Sequence, residues 1–257
     1  YGGESFTFKN KNGQREKNMV VLSNGERRYE VADYTYWNKW STPIWVSEDP
    51  DYDRFSKGMV RECLEFSDGE DRTEVAGTIK GKLYESDFNF FSTARRKNYN
   101  SITHIEEFIT NQFRTCFLGY FRNHFPETTQ GTEHLQDIEE SNIDVNMRES
   151  WVHISNGQGS WHGSHDHPRT SWGVIYYVQI DDTGGDNGGT NTFRQPFQNM
   201  YKDDGNFFQH NYSLFTPPMN NGGVVFFPAN LIHNASPYYG NQTRIVIAAN
   251  ICVNFKR

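Results

Sequence analysis

What this sequence lacks narrows its class before any motif is read. No stretch of the 257 residues approaches the roughly 18 consecutive apolar residues that a helix needs to span a bilayer, so no membrane partner is expected. Cysteine is scarce: Cys63, Cys116 and Cys252 are odd in number, far apart and never in a CxxC pair. That usage fits reduced thiols in a cytoplasm rather than a disulfide framework or a thiolate metal site. The opening YGGESFTFKNKNGQREKN has no apolar signal core, so nothing in it marks export. Blocks of one charge are absent too. The 25 basic and 32 acidic residues leave a formal net charge of −7, which offers no footprint for a phosphate backbone and argues against nucleic acid as a partner. No internal repeat or clean linker divides the chain, and its length allows a sizeable core.

Aromatic residues are abundant instead: 20 Phe, 14 Tyr and 6 Trp make up 16% of the chain. With frequent Gly and Asn, they point to a β-rich fold, because aromatics pack well on pleated surfaces and Gly and Asn tolerate the positive φ of tight turns. Apolar residues near helical spacing predict a short helix over 54–66. A longer helix follows over 101–125, where Ile105, Phe108, Ile109, Gln112, Cys116 and Tyr120 keep a period close to 3.6 and Ser101 or Thr103 is available as N-cap. His104 and His124, near its ends, read as exposed or capping residues. From residue 148 the texture turns to strands. ESWVHIS (149–155) alternates, with Trp151, His153 and Ser155 on one face; WGVIYYVQI (172–180) is apolar throughout, as for a strand buried on both sides. GGVVFFP (222–228) and TRIVIAANICVNF (243–255) are further strands, STPIWV (41–46) is a short one, and DDTGGDNGG (181–189) is a turn. Strands without intervening helices predict an antiparallel sandwich or barrel with helices packed outside it. Residues 1–40 form an N-terminal extension to a single domain over 41–257, with its β-core at about 148–257.

Within GSWHGSHDHP (159–168), His165 and His167 stand two residues apart. On an extended segment they share one face, a spacing that can grip one metal ion, while Asp166 points to the other face. His162 faces away from them on a regular strand unless a turn at Gly163 redirects it, so whether Asp166 or His162 joins the site stays open. A third ligand is on offer from His233, just past GGVVFFP. Three imidazoles leave metal positions open, as catalysis requires, and suit iron, zinc, copper or nickel. Eleven residues beyond His233, Arg244 opens the last apolar strand.

The series HxH–P, SWGVIYYV, TFRQPF and GGVVFFPANLIHNASP, followed by Arg244, resembles the Fe(II)/2-oxoglutarate-dependent oxygenases. It is most similar to the branch whose motif reads roughly HNHP…SGVYYV…FPSWLWH…R, over about residues 41–257. That resemblance implies a double-stranded β-helix (jelly-roll, cupin-like) core with helices on one side. It implies Fe(II), 2-oxoglutarate and O2, with His165, His167 and His233 on the iron and Arg244 on the distal carboxylate of 2-oxoglutarate, a group a guanidinium can grip bidentately. Tyr176 or Tyr177 is implied as a hydroxyl donor to the cosubstrate. No side chain acts as nucleophile; the implied reaction oxidises a substrate C–H bond with release of succinate and CO2. The substrate is a small molecule or a protein side chain. The wider superfamily uses His-x-Asp…His, so His167 stands where a carboxylate is usual and leaves the centre one charge more positive.

Four further residues are candidates for the pocket: Phe193, Arg194, His153 and Asn250. For each, packing or hydrogen-bond satisfaction competes with a direct role. A metal-binding cupin shares the jelly roll, but the glutamate expected after its second histidine would fall at Ser171 or Trp172, and it has no special need of Arg244. A non-enzymatic jelly-roll binding module explains the aromatics but not the histidines.

Overall fold

The computed structural model describes residues 42–67, 83–124, 139–157, 159–180, 188–196, 214–218 and 220–256, together with short strands at 18–21, 27–30 and 79–80. The chain divides into two units. One comprises residues 1–42 and 120–137; there β1 (Asn18–Val21) pairs antiparallel with β2 (Arg27–Glu30). The rest of the expected extension lies outside the described residues, as do the side chain of His124 and most of the turn expected over 181–189.

The other unit comprises residues 43–119 and 138–257. In chain order it holds β3 (Trp45–Glu48), α1 (Tyr52–Ser67), β4 (Ile79–Lys80), β5 (Leu83–Glu85), α2 (Phe90–Arg96) and α3 (Asn100–His124), the last belonging to it through Gly119. Then come β6 (Ile143–Ser155), β7 (Ser160–His165), β8 (Trp172–Gln179), β9 (Asn191–Arg194), β10 (Leu214–Phe215), β11 (Gly223–Pro228), β12 (His233–Tyr238) and β13 (Arg244–Phe255). Two antiparallel sheets face each other. One runs β3-β11-β8-β13-β6-β5 and the other β10-β9-β12-β7-β4. This is the mainly β, jelly-roll architecture expected from the sequence, with helices on one side.

The strand period explains the layering. Along β8, Val174, Tyr176 and Val178 point to the helix layer, where they meet Met59 and Cys63 of α1, Phe90 and Phe91 of α2, and Ile105, Ile109 and Phe113 of α3. The intervening Ile175 and Tyr177 point between the sheets, with Trp151, Phe193, Val225, Phe227 and Val246. The unbroken apolar run of residues 172–180 is therefore the mark of a strand covered on both faces. Trp172 stacks on Trp45 at 4.3 Å and meets Phe113 edge-on at 5.7 Å, so the start of the unit, α3 and β8 are joined through aromatic rings.

The helices are held by groups the periodicity did not name. Neither Ser101 nor Thr103 caps α3. The buried Glu62 carboxylate of α1 accepts from the Ser101 and Ile102 amides, both at 3.0 Å, satisfying two N–H groups that the first turn leaves free. Thr103 Oγ1 instead donates to the Tyr99 carbonyl. His104 is not simply exposed: its Nε2 lies 2.9 Å from Asp49 Oδ2, and its ring stacks on Phe55. Other differences are of extent. The strand expected over 41–46, β3, starts at Trp45, and β6 begins at Ile143, six residues ahead of the expected strand. The seven-residue α2 is too short to show a period, and β7 (SWHGSH) and β12 (HNASPY) lack apolar alternation.

Candidate active site

The site is built on the inner faces of the two sheets. On β7 and β12, His165 lies opposite His233 and His162 opposite Ala235. Two residues on β7, Gly163 and Ser164, thus stand opposite one on β12, Asn234, which makes a bulge. An extra residue reverses the alternation, so His162 and His165, which would oppose each other on a regular strand, share a face and stack with ring centroids 4.0 Å apart. Just beyond the strand, His167 turns inward and is buried, while Asp166 is exposed. Asp166 is therefore turned away from the histidines, and His162 is turned towards them.

Candidate ligand atoms of His165, His167 and His233 all lie within 4.8 Å of one another. Each ring is oriented by its Nδ1. His165 donates to the Gly163 carbonyl at 2.8 Å, His233 to the Leu231 carbonyl at 3.0 Å, and His167 to Asn250 Oδ1 at 2.6 Å. With the proton on Nδ1, each Nε2 keeps its lone pair for a metal. Burial favours the same neutral form. It draws the pKa of His167 down to about 4 and that of His233 to about 3, and it lowers His165, each with a further push from a neighbouring imidazole. His162 falls to about 2 for the same reasons. Three neutral imidazoles with convergent lone pairs and no carboxylate among them fit a divalent transition metal with open positions.

Arg244 lines the same pocket and is 4% exposed. Its Nε donates to the Gly189 carbonyl at 2.7 Å, whereas its Nη2 has no hydrogen-bond partner among the described residues. Gly189 stands at φ +77, and a Cβ there would come within 2.8 Å of Arg244 Cδ, so this close backbone approach requires glycine. A buried guanidinium with an unmatched N–H is a receptor for an anion, a carboxylate above all. Trp151, also lining the pocket, keeps its buried Nε1–H unmatched among the described residues. Apolar Ile175, Val246 and Ala248 complete the wall.

The two tyrosines separate cleanly. Tyr177 faces the pocket side and donates its hydroxyl to Asn191 Oδ1 at 2.7 Å; burial raises its pKa to about 12, against a lowering influence from Arg244. Tyr176 faces the helices and donates to Asp49 Oδ2 at 2.9 Å; the strand period turns it away from the pocket. Phe193 does not line the pocket; it is buried and packs on the His233 ring with centroids 5.6 Å apart. Arg194, one residue on, is exposed and points out of the pocket. His153 lines the pocket with its Nε2 bonded to the buried Glu85 carboxylate. Asn250 does not enter the pocket's wall but holds His167 from behind. The sequence placed Trp151 on one face with His153 but did not assign it to the site, and Glu85, Glu149, Asn191 and Gly189 were not singled out. Trp151 and Glu149 were within reach, because the alternation that places His153 inward places them on the same face; Asn191 and Gly189 carry no such signal. At the glutamate positions of a cupin, Ser171 is exposed and Trp172 is packed in the helix layer.

Residues 149–250 match the family model described as putative 2OG-Fe(II) oxygenase. No curated protein matches the chain's sequence. Among solved structures it is similar to a prolyl hydroxylase in complex with a hypoxia inducible factor oxygen degradation domain peptide fragment, from Trichoplax adhaerens. The two are 12% identical, with a TM-score of 0.53 over 82% of this chain and 84% of that one. It is also similar to AviO1 from Streptomyces viridochromogenes Tue57, at 16% identity and TM-score 0.50 over 82% and 90% of the two chains. At such identities the likeness is one of fold.

Proposed function

We propose that this chain is a 2OG-Fe(II) oxygenase, in line with the family-model match over residues 149–250, and that it hydroxylates a C–H bond of its substrate, coupled to conversion of 2-oxoglutarate and O2 to succinate and CO2. The family works with Fe(II), 2-oxoglutarate and O2, and the residues present fit the metal and a carboxylate-bearing cosubstrate. The observation that carries the reading is the meeting, in one buried pocket, of three histidines with a guanidinium that has an unmatched N–H.

In this reading His165, His167 and His233 hold Fe(II), and Arg244 holds the distal carboxylate of 2-oxoglutarate. When bound, the metal and cosubstrate supply the oxidising power for the C–H bond. The chain's own part is to bind and orient. The Tyr177–Asn191 hydrogen bond ties the two sheets together beside the pocket, Gly189 sets the reach of Arg244, and the apolar wall would keep water out. No side chain serves as nucleophile. We take residues 41–257 as the oxygenase domain, a small molecule or a protein side chain as substrate, and a reducing, cytoplasm-like compartment as its setting, in keeping with three free cysteines. No described helix is long and apolar enough to cross a membrane.

The test is the visible spectrum of the full chain with Fe(II) under anaerobic conditions, before and after 2-oxoglutarate. A new broad charge-transfer band, weakened in Arg244→Ala, is expected, with succinate released once air and a substrate are supplied. Bound iron without such a band would sink the cosubstrate assignment, and failure of the chain to bind iron would sink the metal site.

A further inference from the structure

Two of the three ligand histidines take their orientation from the chain beside them. His165 and His233 each donate to a carbonyl two residues upstream. His167 lies past the end of β7, and its support comes from the opposite sheet. Asn250 on β13, 6% exposed, places Oδ1 2.6 Å from His167 Nδ1 and Nδ2 2.6 Å from Glu149 Oε2. Asn250 and Glu149 are direct cross-strand partners, and beside them the register of β13 and β6 shifts so that Ile251 meets Met147. A bulge at Arg148 thus sits next to the residues that reach towards His167.

The order of donors and acceptors along this line has one solution. A carboxylate only accepts, so the amide face towards Glu149 must be the NH2 group. The Asn250 oxygen then faces His167, which must carry its proton on Nδ1, and Nε2 is left bare. Without Glu149 the amide can turn over and offer NH2 to the ring. That would place the ring proton on Nε2, in the way of a metal.

We infer that Glu149 and Asn250 are positioning residues of the metal centre: Glu149 fixes the Asn250 amide, and Asn250 fixes the tautomer of His167. This rests on the three-histidine reading proposed above. Because Glu149 is exposed, its field at the ring is screened by water and orientation dominates over charge. A glutamine at 149 can still accept from the Asn250 NH2, whereas a leucine cannot.

The experiment is Co(II) titration of the metal-free full chain, following the visible d–d band, for wild type, Glu149→Leu, Glu149→Gln, Asn250→Leu and His167→Ala. Outer hydrogen-bond partners of ligand histidines are commonly worth about 10- to 100-fold in metal affinity. Asn250→Leu and Glu149→Leu should weaken Co(II) by at least about the lower of those factors and alter the band at saturation. Glu149→Gln, whose amide can accept from Asn250 but can also donate and so no longer forbids the turned-over amide, should fall between wild type and Glu149→Leu. Should Asn250→Leu fail to fold, the exposed Glu149 pair still decides the matter. A Glu149→Leu variant that binds as wild type does while His167→Ala is impaired overturns this inference alone. A His167→Ala variant indistinguishable from wild type overturns the metal site itself.

Discussion

Gly189 and Arg244 form the tightest residue-level coupling in the site. Since a Cβ at 189 would press on the Arg244 side chain and the backbone there is left-handed, Gly189→Ala should carry a backbone penalty of about 1–2 kcal/mol and misplace the guanidinium. The expected outcome is weaker 2-oxoglutarate binding with unchanged Co(II) affinity, read by calorimetry on the metal-loaded chain; equal affinity for the cosubstrate would refute the close-approach argument. At this scale the sequence was informative wherever a residue type has few other uses. The HxH pair and the distal His233 were recognisable by chemistry and spacing, and Arg244 took its role only from the family resemblance. The direction of His162 was not, because it depends on a bulge set by pairing with β12, a strand with no apolar signature. Tyr176 and Tyr177 were indistinguishable because a strand buried on both sides has no polar face to break the tie; only the partners Asp49 and Asn191 separate them.

Between elements, the helix layer and the sheet meet through a few large side chains. Phe113 is fully buried against Trp45, Trp172 and Phe226. Phe113→Ala should cost about 3–5 kcal/mol, seen as a lower urea midpoint, while the fraction that remains folded binds metal normally. Glu62 is the second hinge of this layer. Glu62→Ala strips two buried amides of a charged acceptor and should cost about 1.5–3 kcal/mol, measured the same way; a change within error would show that water replaces the carboxylate without loss. Helices α1 and α3 were legible because each is long enough to repeat its apolar period. Their capping was not, since Glu62 reaches α3 from another helix and sequence proximity cannot reveal it. The β-core was legible from β8, β11 and β13, whose apolar runs need no partner to be noticed, whereas β7 and β12 exist as strands through hydrogen bonds to neighbours.

For the molecule as a whole, the buried imidazoles tie stability to pH. An unfolded histidine titrates near 6.5, while His167 and His233 titrate in the folded chain at about 4 and about 3. The unfolded state therefore binds more protons in this window. The contribution of these groups is fully present above about pH 6.5 and is lost as pH falls towards the folded values. The metal-free chain should accordingly show a lower urea midpoint at pH 5 than at pH 7.5, and His162→Gln should narrow the difference. A flat profile would mean that the cluster is hydrated. Metal acts in the opposite sense by binding only the folded chain. Free metal at 100 times its Kd should add about 2.7 kcal/mol, observed as a rise in Tm that vanishes in the His233→Ala variant.

The division of β8 into two independent readings has a consequence for how such a protein changes over generations. Val174, Tyr176 and Val178 are answerable to the helices, Ile175 and Tyr177 to the pocket. Drift on the first set can be absorbed by compensating exchanges in α1, α2 and α3 without disturbing the chemistry, and drift on the second can retune the chamber while the outer layer stays as it is. One strand thus insulates two lineages of change from each other, and relatives sharing its pocket face need share little of the helical coat.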